Sequence, residues 1–518
     1  MVPFSGIFRF IRNSRGDELG LVELTFYGGL RTSGGTKILL RTDHGAVFVD
    51  FGMDFELEGH YFDEPWDPPF YIPSLLQIGA LPDIEGLYRM KPGRPVDGVL
   101  VSHPHLDHVG HVPLLSPQIP VYAGTDTKAL TNIRSETHDH DWKNDWSHTD
   151  WRTFSSGDGV DIEGTAISFM PLAVDHSVLG SYGFIIQAED KKIAYTGDLR
   201  LHGRRPEQTE HFLNLLRLNH IDALISEGTH VEPGGRDVEA DLVAQMEAVY
   251  AHKLGPEAPH RIEVPCITED DVEARLAEIF RSAEGLVVVE SAPIDLDRIF
   301  SVWRAAQESR RLLVLPARTG YIIREASRRT QIEELPPVQG TALYLSQLRM
   351  RADKRGPNDP EDAEDLVRGR RQWQHDLAHD WNDEGGLVLG LPEGREAIRE
   401  GGDQIVICTP QAANLLPELA YRSEPCPVTF VLSRSGPFDP EMTVDHHRIL
   451  HWLALFGCRE YYQVHVSGHA PPGDIRRIVE AATPDLLIPI HTRHPQAFGQ
   501  WHDRVLSGLK VGESMAIN

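Results

Sequence analysis

Three histidines and one aspartate fall within six residues of the stretch Ser102-His103-Pro104-His105-Leu106-Asp107-His108. Imidazole nitrogen and carboxylate oxygen are the ligands of borderline divalent ions such as Zn2+ when one coordination position must stay open to water. The apolar run Val99-Leu100-Val101 just before them reads as a buried strand, and Pro113 marks a loop after them. Ligands in the order H-x-H-x-D-H on a strand-end loop can hold two metal ions side by side. A solvated polar loop that merely happens to be rich in histidine has no reason to keep that order.

This spacing resembles the metallo-β-lactamase superfamily, an αββα sandwich whose ligands sit on loops at one edge, each just after a strand. The resemblance implies further ligands at His176 in Val174-Asp175-His176, at Asp198 in Thr196-Gly197-Asp198, and at His491 closing Leu486-Leu487-Ile488-Pro489-Ile490. It implies that His103, His105 and His176 hold one ion and Asp107, His108 and His491 the other, with Asp198 bridging. Asp50, closing the run Ala46-Val47-Phe48-Val49, matches the family's structural acid behind the site. The implied cofactors are two divalent ions, Zn2+ first and Mn2+ as the alternative.

A long interval between Asp198 and His491, with Ser467-Gly468-His469-Ala470 inside it, is similar to the β-CASP branch, which includes ribonuclease J, messenger-RNA cleavage factors and Artemis-type DNA nucleases. Glu227 matches the acid that closes the strand before the insertion, and His469 and His491 match the second and third marks of the branch. Histidine at the third mark accompanies action on RNA. His465, Ser467 and His469 together resemble the phosphate-holding H-x-S-G-H of ribonuclease J. The resemblance implies phosphodiester hydrolysis: the metals activate water, Asp107 serves the metal centre, and His469, oriented by Glu227, protonates the leaving oxygen. Departures lie in the inserted cassette, where T-G-x-Q-G-E is replaced by Thr409-Pro410-Gln411-Ala412-Ala413-Asn414 and an F-x-S-N-like turn by Ser291-Ala292-Pro293-Ile294-Asp295. After His491 the chain reads Thr492-Arg493-His494-Pro495 in place of the frequent Gly-Glu.

These residues need elements to position them. Strands are expected at 22–26, 37–41 and 46–51, with the glycine-rich turn 27–35 a plain connector, since it lacks the Lys-Ser/Thr of a P-loop. From 271 onward the pattern changes to helix 271–282, strand 285–290, helix 296–308 and strand 311–315, a parallel α/β unit. Strands at 404–409 and 428–433 and helices at 446–456 and 473–482 follow. The expected fold class is therefore α/β: an αββα sandwich in residues 1–230, an inserted parallel α/β domain in 231–430, and a returning part of the sandwich in 431–518. The charged stretch 351–371 reads as an exposed loop, and the His/Asp/Trp cluster from His138 to Trp151 as a polar loop pinned by its tryptophans rather than a third metal site or base-stacking platform.

Composition bounds the rest. At 518 residues, 41% hydrophobic and 25% charged, the chain is expected to be globular with two or three domains. No apolar run nears a membrane span and no signal peptide is visible, so a cytoplasmic protein without a membrane partner is expected. Cys266, Cys408, Cys426 and Cys458 are scattered and fit a reducing compartment better than a disulfide framework. A net charge of -27 argues against a broad nonspecific nucleic-acid surface but not against a narrow metal-lined site. The expected partner is single-stranded RNA, cut endo- or 5′-exonucleolytically, with DNA as an alternative and a homodimer as an allowed assembly. A hydrolase of a small phosphodiester or other ester, and a noncatalytic RNA-processing scaffold, remain the competing readings.

Overall fold

The computed structural model describes residues 20–62, 72–137, 145–235, 238–345, 372–390, 392–420, 428–437 and 440–517. The charged stretch 351–371, Cys426 and residues 138–144 of the His/Asp/Trp cluster lie outside them. Two sheets form a sandwich. The first contains β1 (Val22–Gly28), β2 (Lys37–Thr42), β3 (Gly45–Val49), β4 (Gly98–Val101), β5 (Pro120–Gly124), β6 (Asp150–Phe154) and β21 (Ser514–Ala516), in the order β21-β1-β2-β3-β4-β5-β6. The second contains β7 (Val160–Asp161), β8 (Ile167–Ala173), β9 (Tyr182–Ala188), β10 (Lys191–Tyr195), β11 (Ala223–Ser226) and β20 (Leu486–Pro489), in the order β20-β11-β10-β9-β8-β7.

Alternation along the strands builds the layers. Leu24, Phe26, Ile38 and Leu40 face Phe169, Phe184, Ile186 and Ile193 in one core between the sheets. Their neighbours Leu39, Phe48, Val99 and Val121 pack outward beneath the segments around Ile72–Gln77 and Val112–Leu114. Helices Pro206–Leu218 and Pro472–Ala482 cover the outer face of the second sheet through Phe212, Leu216, Ile475 and Ile478. This is the expected αββα sandwich.

The third sheet has eight strands: β12 (His260–Val264), β13 (Leu286–Glu290), β14 (Leu312–Pro316), β15 (Thr341–Tyr344), β16 (Leu387–Leu389), β17 (Ile405–Thr409), β18 (Val428–Leu432) and β19 (Glu460–Val464). All its pairings are parallel, in the order β12-β19-β18-β13-β17-β14-β15-β16. A parallel sheet is covered on both faces, so its strands read as continuous apolar runs. Val287 and Val289 enter one core while Leu286 and Val288 enter the other. Leu130, Ile133, Val178 and Leu179 of the sandwich join the first of these cores, so apolar packing crosses the junction.

The division drawn from sequence between 430 and 431 falls inside β18, and β19 still belongs to the third sheet. We propose that the inserted unit runs from about 231 to 464 and that the chain returns to the sandwich with the loop before β20. Trp146 and Trp151 stack at 5.7 Å, with Trp146 buried against the first sheet, which fits a loop pinned by tryptophans. Cys266 and Cys408 are free thiols, but Cys458 is disulfide-bonded, which corrects the expectation of four reduced cysteines. Among the described residues no helix is long and apolar enough to cross a membrane.

Candidate metal centre

The segments that carry the sequence-selected ligands follow the carboxyl ends of strands, and those ends share one edge of the sandwich. β10, β11 and β20 are adjacent and parallel, so Asp198, Glu227 and His491 emerge side by side. β4 ends before His103, and a four-residue helix, Leu106–Val109, turns Asp107 and His108 back toward them. The glycine-rich turn also serves the site: Thr36 N donates to Asp107 O at 3.0 Å, and His491 N donates to Gly29 O at 2.8 Å. At Gly34 a Cβ would lie 3.2 Å from the Asp107 Cβ.

Hydrogen bonds behind the ligands fix which ring nitrogen faces the centre. Asp50, with φ 57°, accepts from His108 Nδ1 (2.7 Å), Ser102 Oγ (2.7 Å), Ser102 N (2.7 Å) and Tyr195 OH (2.6 Å). A carboxylate only accepts, so His108 carries its proton on Nδ1 and presents a lone pair at Nε2. Ser102 Oγ spends its hydrogen on Asp50 and accepts from His103 Nδ1 at 3.0 Å, leaving His103 Nε2 bare. Thr229 Oγ1 donates to Glu227 Oε2 at 2.9 Å and accepts from His491 Nδ1 at 2.9 Å. His176 Nδ1 donates to Gly468 O at 2.5 Å. Each ring is thereby turned with Nε2 inward.

Two clusters result. His103 Nε2 and His176 Nε2 each stand 3.1 Å from His105 Nδ1, and His103 Nε2 is 3.6 Å from Asp198 Oδ2. In the other, His108 Nε2 is 3.1 Å and His491 Nε2 3.7 Å from Asp198 Oδ2, while His491 Nε2 is 3.0 Å from Asp107 Oδ2. Ligands bonded at about 2.0–2.1 Å to one tetrahedral ion stand about 3.3 Å apart, and both clusters match that edge length. Asp198 belongs to both, is buried, and neither of its carboxylate oxygens makes a hydrogen bond. His108 Nε2 is likewise unbonded despite its nearness, because its lone pair and the carboxylate's point toward a common space. Bare donors converging on a buried carboxylate fit divalent cations, which offset the cost of burying it.

Electrostatics agree. Burial first, then neighbouring imidazoles, hold His103 and His176 well below the usual histidine range, and burial takes His105 down to about 4, so all three are neutral ligands. His469 behaves oppositely. Burial would lower it, yet Glu227 and Asp198 push it up to about 9, so it is protonated at neutral pH.

A third grouping, Asp198, Glu227, His469 and His491, differs in kind. Glu227 is saturated by donors: Leu199 N (2.9 Å), Thr229 Oγ1 (2.9 Å) and His469 Nδ1 (3.1 Å). It orients His469, whose Nδ1 lies 3.9 Å from Asp198 Oδ2. The segment 465–469 is clamped by cationic or imidazole donors: Ser467 O accepts from His202 Nε2 (2.8 Å) and Arg200 Nη1 (3.3 Å). Ser467 Oγ is engaged internally, accepting from His469 N at 3.1 Å and lying 2.6 Å from His230 Nε2. His465 stands apart from the metal clusters, its Nδ1 3.0 Å from Arg298 Nη1. Sequence reading missed Ser102, Tyr195, Thr229 and His230. Thr229 and His230 lie two and three residues after Glu227, a strand-end position that could have drawn notice; Tyr195 gave no local signal.

Residues 76–258 match the beta-lactamase superfamily domain model. A ribonuclease J of Helicobacter pylori is 23% identical over 282 residues, covering 54% of this chain and 34% of that protein. The chain thus spans only about a third of that curated relative's length. A ribonuclease J of Pyrococcus abyssi is 22% identical over 488 residues, 92% of this chain and 90% of that one. The solved structure of a protein of unknown function from Enterococcus faecalis V583 shares the fold, with TM-score 0.65, 20% identity, and coverage of 96% of this chain and 100% of that one. In domain match, in likeness along nearly the whole chain and in the site's layout, this chain is similar to the ribonuclease J-like, β-CASP branch of the metallo-β-lactamase superfamily.

Proposed function

We propose that the chain is a metal-dependent hydrolase of phosphodiester bonds in single-stranded RNA, with Zn2+ the first choice for two ions and Mn2+ the alternative. The observation that carries this reading is one histidine, His469, hydrogen-bonded to Glu227 beside two ligand clusters that share Asp198. Held by His103, His105, His176, Asp107, His108, His491 and Asp198, two divalent ions would activate a water and neutralise charge growing on the phosphoryl group. Asp50, Ser102 and Thr229 hold the ligand rings in register. His469 gives a proton to the departing oxygen, and the Glu227 carboxylate stabilises the cation before transfer. His465 and the segment through Ser467 supply contacts to substrate phosphate. The net charge of -27 and the altered cassette at 409–414 favour a second reading on the same site, a small phosphodiester as substrate.

The test separates two neighbouring histidines. His491→Ala should lower metal content toward one ion and lose activity with it. His469→Ala should keep both ions yet cut RNA at least about a hundredfold more slowly, while nitrophenyl phosphodiesters, whose leaving group needs no proton, are spared. Loss of metal from His469→Ala with retention in His491→Ala would reverse the assignment. A fully metallated protein that cuts no RNA but turns over small diesters would favour the second reading.

A further inference from the structure

Arg298 lies wholly inside the junction between the inserted sheet and the sandwich, near the start of the helix Leu296–Glu308. Its guanidinium is shared among four partners. Nε and Nη2 form a bidentate pair with Glu269 at 2.8 and 2.9 Å. Nη1 donates to Ser433 O at 2.7 Å and to His465 Nδ1 at 3.0 Å. Nη2 also reaches Val466 O at 3.4 Å. Glu269 is buried too, and Ser301 Oγ adds a third donor to it at 2.8 Å. The guanidinium is thus fixed in place and orientation by groups that cannot swing away.

A guanidinium has five donors and no acceptor. A ring nitrogen facing it must therefore carry a lone pair, so the His465 proton sits on Nε2. A doubly protonated ring could not accept this bond, and burial together with Arg298 keeps His465 well below the usual histidine range. Among the described residues Nε2 of this half-buried ring makes no hydrogen bond, and it stands in the same five-residue segment as His469.

We propose that Arg298, locked by Glu269, is a positioning residue that fixes His465 as a neutral Nε2–H donor for a substrate phosphate oxygen. This rests on the phosphodiesterase reading, but the tautomer itself does not. Arg298 touches no reacting atom; it acts through His465. Its contribution is to binding: a neutral ring with a fixed donor holds phosphate with the same strength across neutral pH, whereas an unfixed imidazole divides its time between two tautomers and offers the wrong face for part of it.

The experiment uses zinc-loaded full-length protein labelled with 15N-histidine, the His465 signals being assigned by their absence from His465→Gln. The expected spectrum has a bare Nδ1 and a protonated Nε2 from pH 6 to 8.5; a protonated Nδ1, or a ring that titrates in that range, overturns the proposal whether or not RNA is cut. Removing Arg298 alone would strand Glu269 and endanger folding, so the paired Glu269→Gln/Arg298→Met variant is used. It should show mixed tautomers and a KM for an RNA oligonucleotide raised about tenfold, with kcat within about twofold. His465→Gln, whose amide nitrogen can stand near Nε2, should keep KM within about threefold, while His465→Asn should raise it about tenfold. A paired variant that melts lower but keeps both tautomer and KM makes Arg298 merely structural and refutes the proposal. Wild-type protein that cuts no RNA while showing the expected spectrum refutes the substrate reading and leaves the tautomer assignment standing.

Discussion

Gly468→Ala should damage the metal centre from behind, and the size of the effect follows from four distances. A Cβ at Gly468 would lie 2.5 Å from Ser177 Oγ, 2.8 Å from Ser177 Cβ and 3.2 Å from His176 Cε1. Comfortable carbon contacts begin at about 3.5 Å, so the segment must retreat by roughly 1 Å. The same residue's carbonyl accepts from His176 Nδ1 at 2.5 Å. Retreat would stretch that bond to about 3.5 Å, beyond useful range. Losing the outer partner of a metal-bound histidine costs about 10–100-fold in metal affinity or activity, which is about 1.4–2.7 kcal/mol at 1.36 kcal/mol per decade. Overpacking adds about 1–3 kcal/mol of lost stability. Zinc titration against a competing chelator, steady-state kinetics and thermal melts read the three quantities. Ser177→Gly in the same chain removes the two nearest atoms, so the double variant should recover most of the loss, less about 1 kcal/mol for the added glycine. If Gly468→Ala keeps its metal affinity and rate within about twofold, or if Ser177→Gly rescues nothing, the clamp on His176 is not what the geometry indicates.

Because Asp198 belongs to both ligand clusters and Asp107 to one, Asp198→Asn should release metal toward zero ions per chain and Asp107→Asn toward one, as read by elemental analysis after gel filtration. Equal losses from both variants would contradict the shared role of Asp198. The Glu269–Arg298 pair should appear in the acid limb of stability. Burial raises the Glu269 carboxyl but Arg298 outweighs it, bringing it from 4.5 down to about 2. A folded pKa below the unfolded one stabilises above the unfolded value and is lost as pH falls through 4.5 toward 2, a swing of about 3 kcal/mol for this buried group. Glu269→Gln should therefore be less stable than wild type at pH 7, and the gap in urea midpoints should narrow at pH 3. A gap that widens on acidification would refute the sign.

What the chain reveals by itself is what depends on near neighbours. His103 to His108 needed only a strand before them and a short turn within them, so type and spacing disclosed the metal chemistry. Helix Leu296–Glu308 has the bounds its pattern predicts, because Asp295 caps it by accepting from Arg298 N at 3.0 Å. The parallel sheet was legible because its strands alternate with helices, the crossover that a parallel pair needs. The rest depends on pairings across hundreds of residues, which leave no local period. That β19 joins the third sheet depends on its pairing with β12 and β18, not on anything in Glu460–Val464. Glu227, Thr229, His469 and His491 become one hydrogen-bonded unit only because β20 lies beside β11. The helix expected at 296–308 did not single out Arg298, and only the docking of that helix at the junction set its guanidinium against His465. Ligand identity is local chemistry, and the protonation and aim of each ligand come from partners that only the tertiary fold supplies.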